Sequence, residues 1–139
     1  AITKTFDFVF FILLMRSILA ITNELSQALQ KKDRDIVNAM NLVNISKARL
    51  QEMREDGWSY LLEEVATFCE KHHILVLNMD DRYAVRGRRR RNTAEINNLY
   101  HYRVEVFYTI LDMQMQELNA RFSVANTELL LLYGKLESM

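Results

Sequence analysis

The sequence contains no proline, only three glycines and a single cysteine in 139 residues. Sheet-based folds of this length need many tight turns, and turns draw on Gly and Pro. Their scarcity points to a few long helices with few breaks. The lone Cys69 excludes an internal disulfide framework and fits a reducing compartment. There is no Gly-rich phosphate loop, no nucleophile elbow and no Ser-His-Asp spacing, so the common signatures of hydrolytic and nucleotide chemistry are missing. No internal repeat is found.

What is present is globular in character. Half of the residues are hydrophobic and 26% are charged, which separates the chain from disordered polymers. The formal charge is zero overall but uneven. Residues 1–79 hold 9 basic and 10 acidic side chains, residues 80–91 hold 6 and 2, and residues 92–139 hold 3 and 6. Basic character is confined to one short segment, which is not the pattern of a globally basic nucleic-acid-binding domain.

Phe8–Met15 is an unbroken apolar run, interrupted at Arg16 and Ser17 and resumed at Ile18–Ile21. A membrane span needs roughly 20 mainly apolar residues, and an interior Arg costs about 2.5–3.5 kcal/mol there. The stretch also has no small-residue cleavage site of the signal-peptide kind. A helix from near Thr5 to Lys31, covered by other helices rather than by lipid, is the expectation.

Asp33 is placed to cap a second helix, with Asp35 near its positive end. Ile36, Met40, Val43, Leu50 and Met53 recur at helical spacing, and the stem of Lys47 falls on the same face. Gly57-Trp58 marks a kink or short break before the apolar face resumes through Leu61, Val65 and Phe68 to Cys69. Ile74–Leu77 reads as extended linker, and a basic loop follows near 78–92. Thr93 caps a last long helix with two apolar stripes. One is Leu99, Tyr102, Val106, Ile110 and Met113; the other is Tyr100, Val104, Phe107, Leu111, Leu118 and Phe122. A short helix from Asn126 to Leu136 carries Leu129–Leu132, which has the look of a core contact cut from its partner. The expected fold is all-α: an irregular bundle of about four to five helices, two or three of them long, in one unit over 1–139.

Three groups of residues are candidates for chemistry. Cys69, His72 and His73, with His101 more distant, invite a zinc reading. Structural zinc usually brings two close ligand pairs, so a helix end finishing in Lys and His is the plainer account, and no metal or other cofactor is expected. The acidic pairs Asp33/Asp35, Glu63/Glu64 and Asp80/Asp81 lie along single segments, whereas two-metal sites need carboxylates converging from separate elements. Solvated faces and caps explain them, and no catalytic residue is assigned. Trp58 could stack on a base, but a Trp beside a kink is more often core.

The sharpest local feature is Arg86-Gly-Arg88-Arg89-Arg90-Arg91. Runs of this type serve nuclear import or contact phosphates with strongly salt-dependent affinity. A self-repelling, solvated loop is the competing reading. No aromatic is interleaved, so base stacking is not supported there.

Three longer stretches carry a resemblance. They are Ile21-Thr-Asn-Glu-Leu-Ser-Gln-Ala-Leu-Gln30 with Lys32-Asp-Arg-Asp-Ile-Val-Asn-Ala-Met40; Met53-Arg-Glu-Asp-Gly-Trp58 with Phe68-Cys-Glu-Lys71; and His101-Tyr-Arg-Val-Glu-Val-Phe-Tyr108 with Asp112-Met-Gln-Met-Gln-Glu-Leu-Asn119. In order and spacing they resemble plant proteins of the hAT transposase superfamily. Such proteins are labelled zinc-finger-MYM-type-like, or TTF-type zinc-finger proteins with a hAT dimerisation region.

The resemblance runs from about Phe6 to Leu132. It implies a parent with an N-terminal zinc finger, a split RNase H-like domain, a helical insertion and a C-terminal dimerisation segment. The residues here resemble the helical insertion. The family's catalytic acids and its Cys-x-x-His, Thr-Arg-Trp and Glu-Arg motifs have no counterparts among them. Cys69 and His72 share the spacing of the first of these motifs without its neighbours, and Trp58 lacks the context of the second. Tyr133–Met139 does not read like family sequence, which suggests a truncated or degraded gene copy.

The resemblance therefore implies a non-catalytic, nuclear fragment of a transposase-derived protein. Its partners would be the rest of the parent chain and a second protomer; DNA contact is expected from the Arg86–Arg91 run itself, and the interrupted apolar run gives no expectation of a membrane partner. A free-standing helical interaction module is the alternative.

Overall fold

The computed structural model describes residues 2–30, 36–83, 96–122 and 132. Within them the chain is all-α. Helix α1 spans Ile2–Leu29, α2 Ile36–Asp56, α3 Trp58–Lys71 and α4 Thr109–Arg121, with a π-helical segment over Tyr100–Tyr108 leading directly into α4. The expected caps Asp33 and Thr93, and the expected short helix at Asn126–Leu136 apart from an exposed Leu132, lie outside the described residues.

Two contacts show which way the helices run. An ion pair of 2.6 Å joins Arg49 to Glu24, and the rings of Phe10 and Trp58 meet at 5.8 Å. Moving forward from Arg49 to Trp58 thus moves backward along α1, so α2 is antiparallel to it. A second ion pair, Arg16–Glu64, lies six residues beyond Phe10 on α1 and six beyond Trp58 on α3. So α3 folds back and follows α1 in its own direction. The π segment and α4 pass Trp58 at Phe107 and Arg54 at Asp112, antiparallel to α2.

Apolar periodicity sets the buried face of each helix. Helix α2 buries Ala39, Val43, Ser46 and Leu50, and α3 buries Trp58, Leu61, Val65 and Cys69. The stem of Lys47 is half-buried, as its place on the α2 face implies. From α1 the core takes Phe6, Val9, Phe10, Leu13, Leu14, Ile18 and Leu25. The expectation that α1 is covered on all sides is met on one side only: Phe8, Phe11, Ile12 and Leu19 are 47–68% exposed.

At Gly57 the chain bends between α2 and α3 without breaking its hydrogen bonds. Gly57 N–H donates to Met53 O at 2.8 Å, and Leu61 N–H donates to Gly57 O at 3.0 Å. A Cβ at Gly57 would sit 2.6 Å from the Met53 carbonyl oxygen, so the bend depends on a missing side chain.

Helix α3 ends in a left-handed residue, His73 at φ 57°. Ile74 N–H donates to Cys69 O at 2.8 Å and His73 N–H to Glu70 O at 3.4 Å. This is the Schellman pattern, which usually places Gly where His73 stands. An L side chain there costs on the order of 1 kcal/mol. His73→Gly is therefore expected to raise stability by roughly 0.5–1 kcal/mol in urea denaturation. A loss of stability would mean that the His73 ring makes a contact worth more than the strain.

Candidate interaction site

The basic segment Arg86–Arg91, with Arg86, Arg88, Arg89, Arg90 and Arg91 as its cationic side chains, lies outside the described residues. The residues flanking it are described, and they are joined. Tyr83 N–H donates to Ile96 O at 2.9 Å, Asn98 N–H to Asp81 O at 2.8 Å, and Leu99 N–H to Met79 O at 2.8 Å. Arg82 and Asn97 form an antiparallel bridge. Tyr83 and Ile96, the described residues on either side of the segment, are thus one hydrogen bond apart.

Why this clamp forms can be traced residue by residue. Residues 74–78 have no regular structure, as expected of the linker, and Ile74, Val76 and Leu77 pack against the core. The Asn78 side chain accepts the Asp80 N–H at 2.9 Å and turns the chain. Asn98 is buried, and its side-chain amide donates to Asn78 O at 2.8 Å. The Asn97 side chain accepts the Tyr100 N–H at 2.9 Å, in the manner of a helix cap.

Beside the clamp lies an aromatic and polar cluster. The rings of Tyr83 and His101 stack at 3.7 Å and 14°, and His101 Nδ1 lies 3.0 Å from Glu105. The Tyr102 hydroxyl donates to Asp7 of α1, 95 residues away in sequence. Burial, reinforced by the hydrogen bond to Asp7 and its charge, pushes the Tyr102 phenol well above the ordinary tyrosine range. Burial also raises Tyr83, with smaller contributions from Asp7 and Glu105. A cleft of about 390 Å³ opens here between α1 and the π segment, with Lys4, Asp7, Phe8 and Phe11 on its α1 side and His101 and Val106 opposite.

The other sequence candidates fall elsewhere. Cys69 is fully buried, and burial raises its thiol, which disfavours the thiolate that binds metals. His72 lies against Phe68 with ring centroids 4.3 Å apart, His73 turns the chain, and His101 stacks on Tyr83 beside the clamp. Among the described residues no group of three His, Cys, Asp or Glu side chains is placed to hold a metal ion. Glu64 pairs with Arg16 while Glu63 is exposed; Asp80 and Asp81 are exposed in the turn; Asp33 and Asp35 lie outside the described residues. Trp58 is core, ringed by Phe10 and Phe107.

Asp7 and Tyr83 carry the cluster and Asn98 the clamp, and none of the three was singled out by sequence pattern. Asp7 left one signal, being the sole acid before Glu24 in an otherwise apolar segment. A lone carboxylate in such a run needs a partner. Of α1, residues 4–28 are long and apolar enough to cross a membrane by length and composition, and 33% of the most apolar window is buried within the bundle.

No family model, curated protein or solved structure matches this chain.

Proposed function

We propose that the chain is a non-catalytic helical module of a nuclear protein derived from a hAT transposase, whose Arg86–Arg91 segment contacts nucleic-acid phosphates from a fixed base on the bundle. The observation that carries the contact is the clamp: Tyr83 and Ile96 are held 2.9 Å apart by a backbone hydrogen bond. Five arginines between these residues are thereby tethered at both ends to one place. Tethering lowers the entropy lost when they engage a phosphate backbone. The link to the transposase superfamily rests on the three sequence stretches alone.

The test is anisotropy of a labelled DNA duplex over about 50–200 mM salt, where each phosphate neutralised adds about 0.9 to the log–log slope. Replacing Arg86, Arg88, Arg89, Arg90 and Arg91 by Ala is expected to flatten that slope by roughly 4 units and to weaken binding evenly across sequences. Equal slopes for the two proteins would remove the DNA role. Nuclear retention of a tagged chain, scored separately, would then decide whether the arginines serve import.

A second reading, a helical interaction module without a DNA role, is favoured by the exposed apolar residues of α1.

A further inference from the structure

The outward face of α1 presents Phe8 at 68%, Phe11 at 47%, Ile12 at 47% and Leu19 at 57% exposure, with Met15 half-buried between them. Along the helix Phe8, Ile12, Met15 and Leu19 follow at steps of four, three and four. This is the spacing of a coiled-coil seam, on which side chains of a facing helix interdigitate.

We propose that this seam pairs α1 with α1 of a second copy of the chain, antiparallel, about a two-fold axis between Ile12 and Met15. The step pattern reads the same in both directions. Reversing one copy sets Phe8 against Leu19 and Ile12 against Met15 of the other, so every apolar knob meets an apolar position. The symmetry extends one turn further at each end, because Lys4 precedes Phe8 by four residues and Asn23 follows Leu19 by four. Antiparallel pairing places the Lys4 ammonium beside the Asn23 amide, whose oxygen can accept from it. Parallel pairing would instead place Lys4 against Lys4, and like charges at a seam disfavour that register.

The surface around the seam suits the same partner. A groove of about 380 Å³ runs on the α3 side, between Leu13 and Arg16 of α1 and Tyr60 and Phe68 of α3. The cleft of about 390 Å³ on the other side has Phe8 and Phe11 on its rim. A ridge between two grooves is what ridge-into-groove packing requires of each partner.

Scaled from roughly 200 Å² for a large apolar side chain, the four exposed residues offer about 400 Å² per copy. With Met15, Tyr60 and the groove walls from both copies, the total passes the ~1,000 Å² expected of a specific interface. This pairing makes no use of the basic segment, so it stands or falls apart from DNA binding.

Sedimentation equilibrium of the full chain, over about 1–100 μM, tests the pairing. A dimer is expected, and Phe8→Gln with Leu19→Gln is expected to weaken it roughly tenfold or more, since the double change removes two of the four apolar knobs from each copy of the seam. Unchanged far-ultraviolet dichroism will confirm that the variant folds. Orientation is read by mixing two single variants, Phe8→Cys and Leu19→Cys, under mild oxidation, with Cys69 shielded by burial. Mixed disulfides between the two variants are expected. Any of four results would overturn the proposal: a monomer throughout, a dimer indifferent to Phe8 and Leu19, like-with-like disulfides only, or a monomer that instead floats with phosphatidylcholine vesicles.

Discussion

Replacing Tyr102 by Ala is expected to destabilise the bundle by about 3–5 kcal/mol, the range for removing a large buried aromatic. Tyr102 is 1% exposed and joins three parts of the fold. Its ring meets Phe6 at 5.2 Å and Phe10 at 5.0 Å on α1, and Tyr83 of the clamp at 6.3 Å. Its hydroxyl donates to Asp7. Truncation opens a cavity and strips the carboxylate of that donor. Since a domain of this kind is stable by only about 5–15 kcal/mol, the loss is a large share of the whole.

Tyr102→Phe separates the two contributions. It keeps the ring and removes the hydroxyl, so the expected cost is smaller, about 1–2 kcal/mol. It also changes the response to alkali. The phenol ionises above its unfolded value of 10.0 when folded, because the buried anion is disfavoured first by desolvation and then by Asp7. A raised value means that the neutral form is the one the fold favours. The stabilisation is complete below about pH 10 and is lost as the pH climbs above it. Urea midpoints measured from neutral pH to about pH 11 should fall steeply for the parent and less steeply for Tyr102→Phe. Identical alkaline limbs would show that Tyr102 does not report on the core.

Much of the bundle was legible because burial follows simple spacing. Val43, Leu50, Leu61, Val65 and Cys69 were placed by helical periodicity, and all are buried. The sequence pattern went astray where the helix itself changes period. Tyr102 and Phe107 fall on separate stripes if every turn has 3.6 residues, yet both are fully buried on one face. The π segment reconciles them, since its wider turns bring residues five apart into line. Thr109 shows the same step, its hydroxyl donating to Val104 O at 3.1 Å. Members of the two expected stripes accordingly part company: Tyr100, Val104 and Met113 are exposed, while Leu111 and Leu118 join the core.

The clamp was illegible for a different reason. Its bonds are backbone pairs between residues well separated in sequence, Tyr83 with Ile96, Asp81 with Asn98 and Met79 with Leu99, supported by the Asn98 side chain, and such pairs leave no periodic apolar signature. Asp7 and Tyr102 likewise pair two chemically ordinary residues across 95 positions. Only the chain path brings them together. The candidates that stood out, Cys69 with His72 and His73, were read by spacing alone, and spacing along a helix end does not say which side of the helix each residue occupies.

The second large effect is expected at Gly57, where the penalty comes from adding one carbon. A Cβ there would stand 2.6 Å from the Met53 carbonyl oxygen and 3.0 Å from Met53 Cγ. The side chain can turn away, but the carbonyl is held by the Gly57 N–H at 2.8 Å and is part of the helix. Forcing extra volume into such a place costs about 1–3 kcal/mol. Against this, Ala restricts the unfolded chain and returns about 0.4–1 kcal/mol. The clash is the larger quantity, so Gly57→Ala should lower stability, against the usual preference of helices for Ala over Gly.

The position of the change gives it a specific readout. Trp58, the only Trp in the chain, follows Gly57 directly and is wedged between Phe10 and Phe107. If the bend opens to relieve the carbonyl, Trp58 leaves that slot, and its emission shifts to the red before global unfolding. A Gly57→Ala protein with an undiminished denaturation midpoint and unshifted emission would show that the turn between α2 and α3 does not depend on the missing side chain, and α3 would then owe its return along α1 to packing alone.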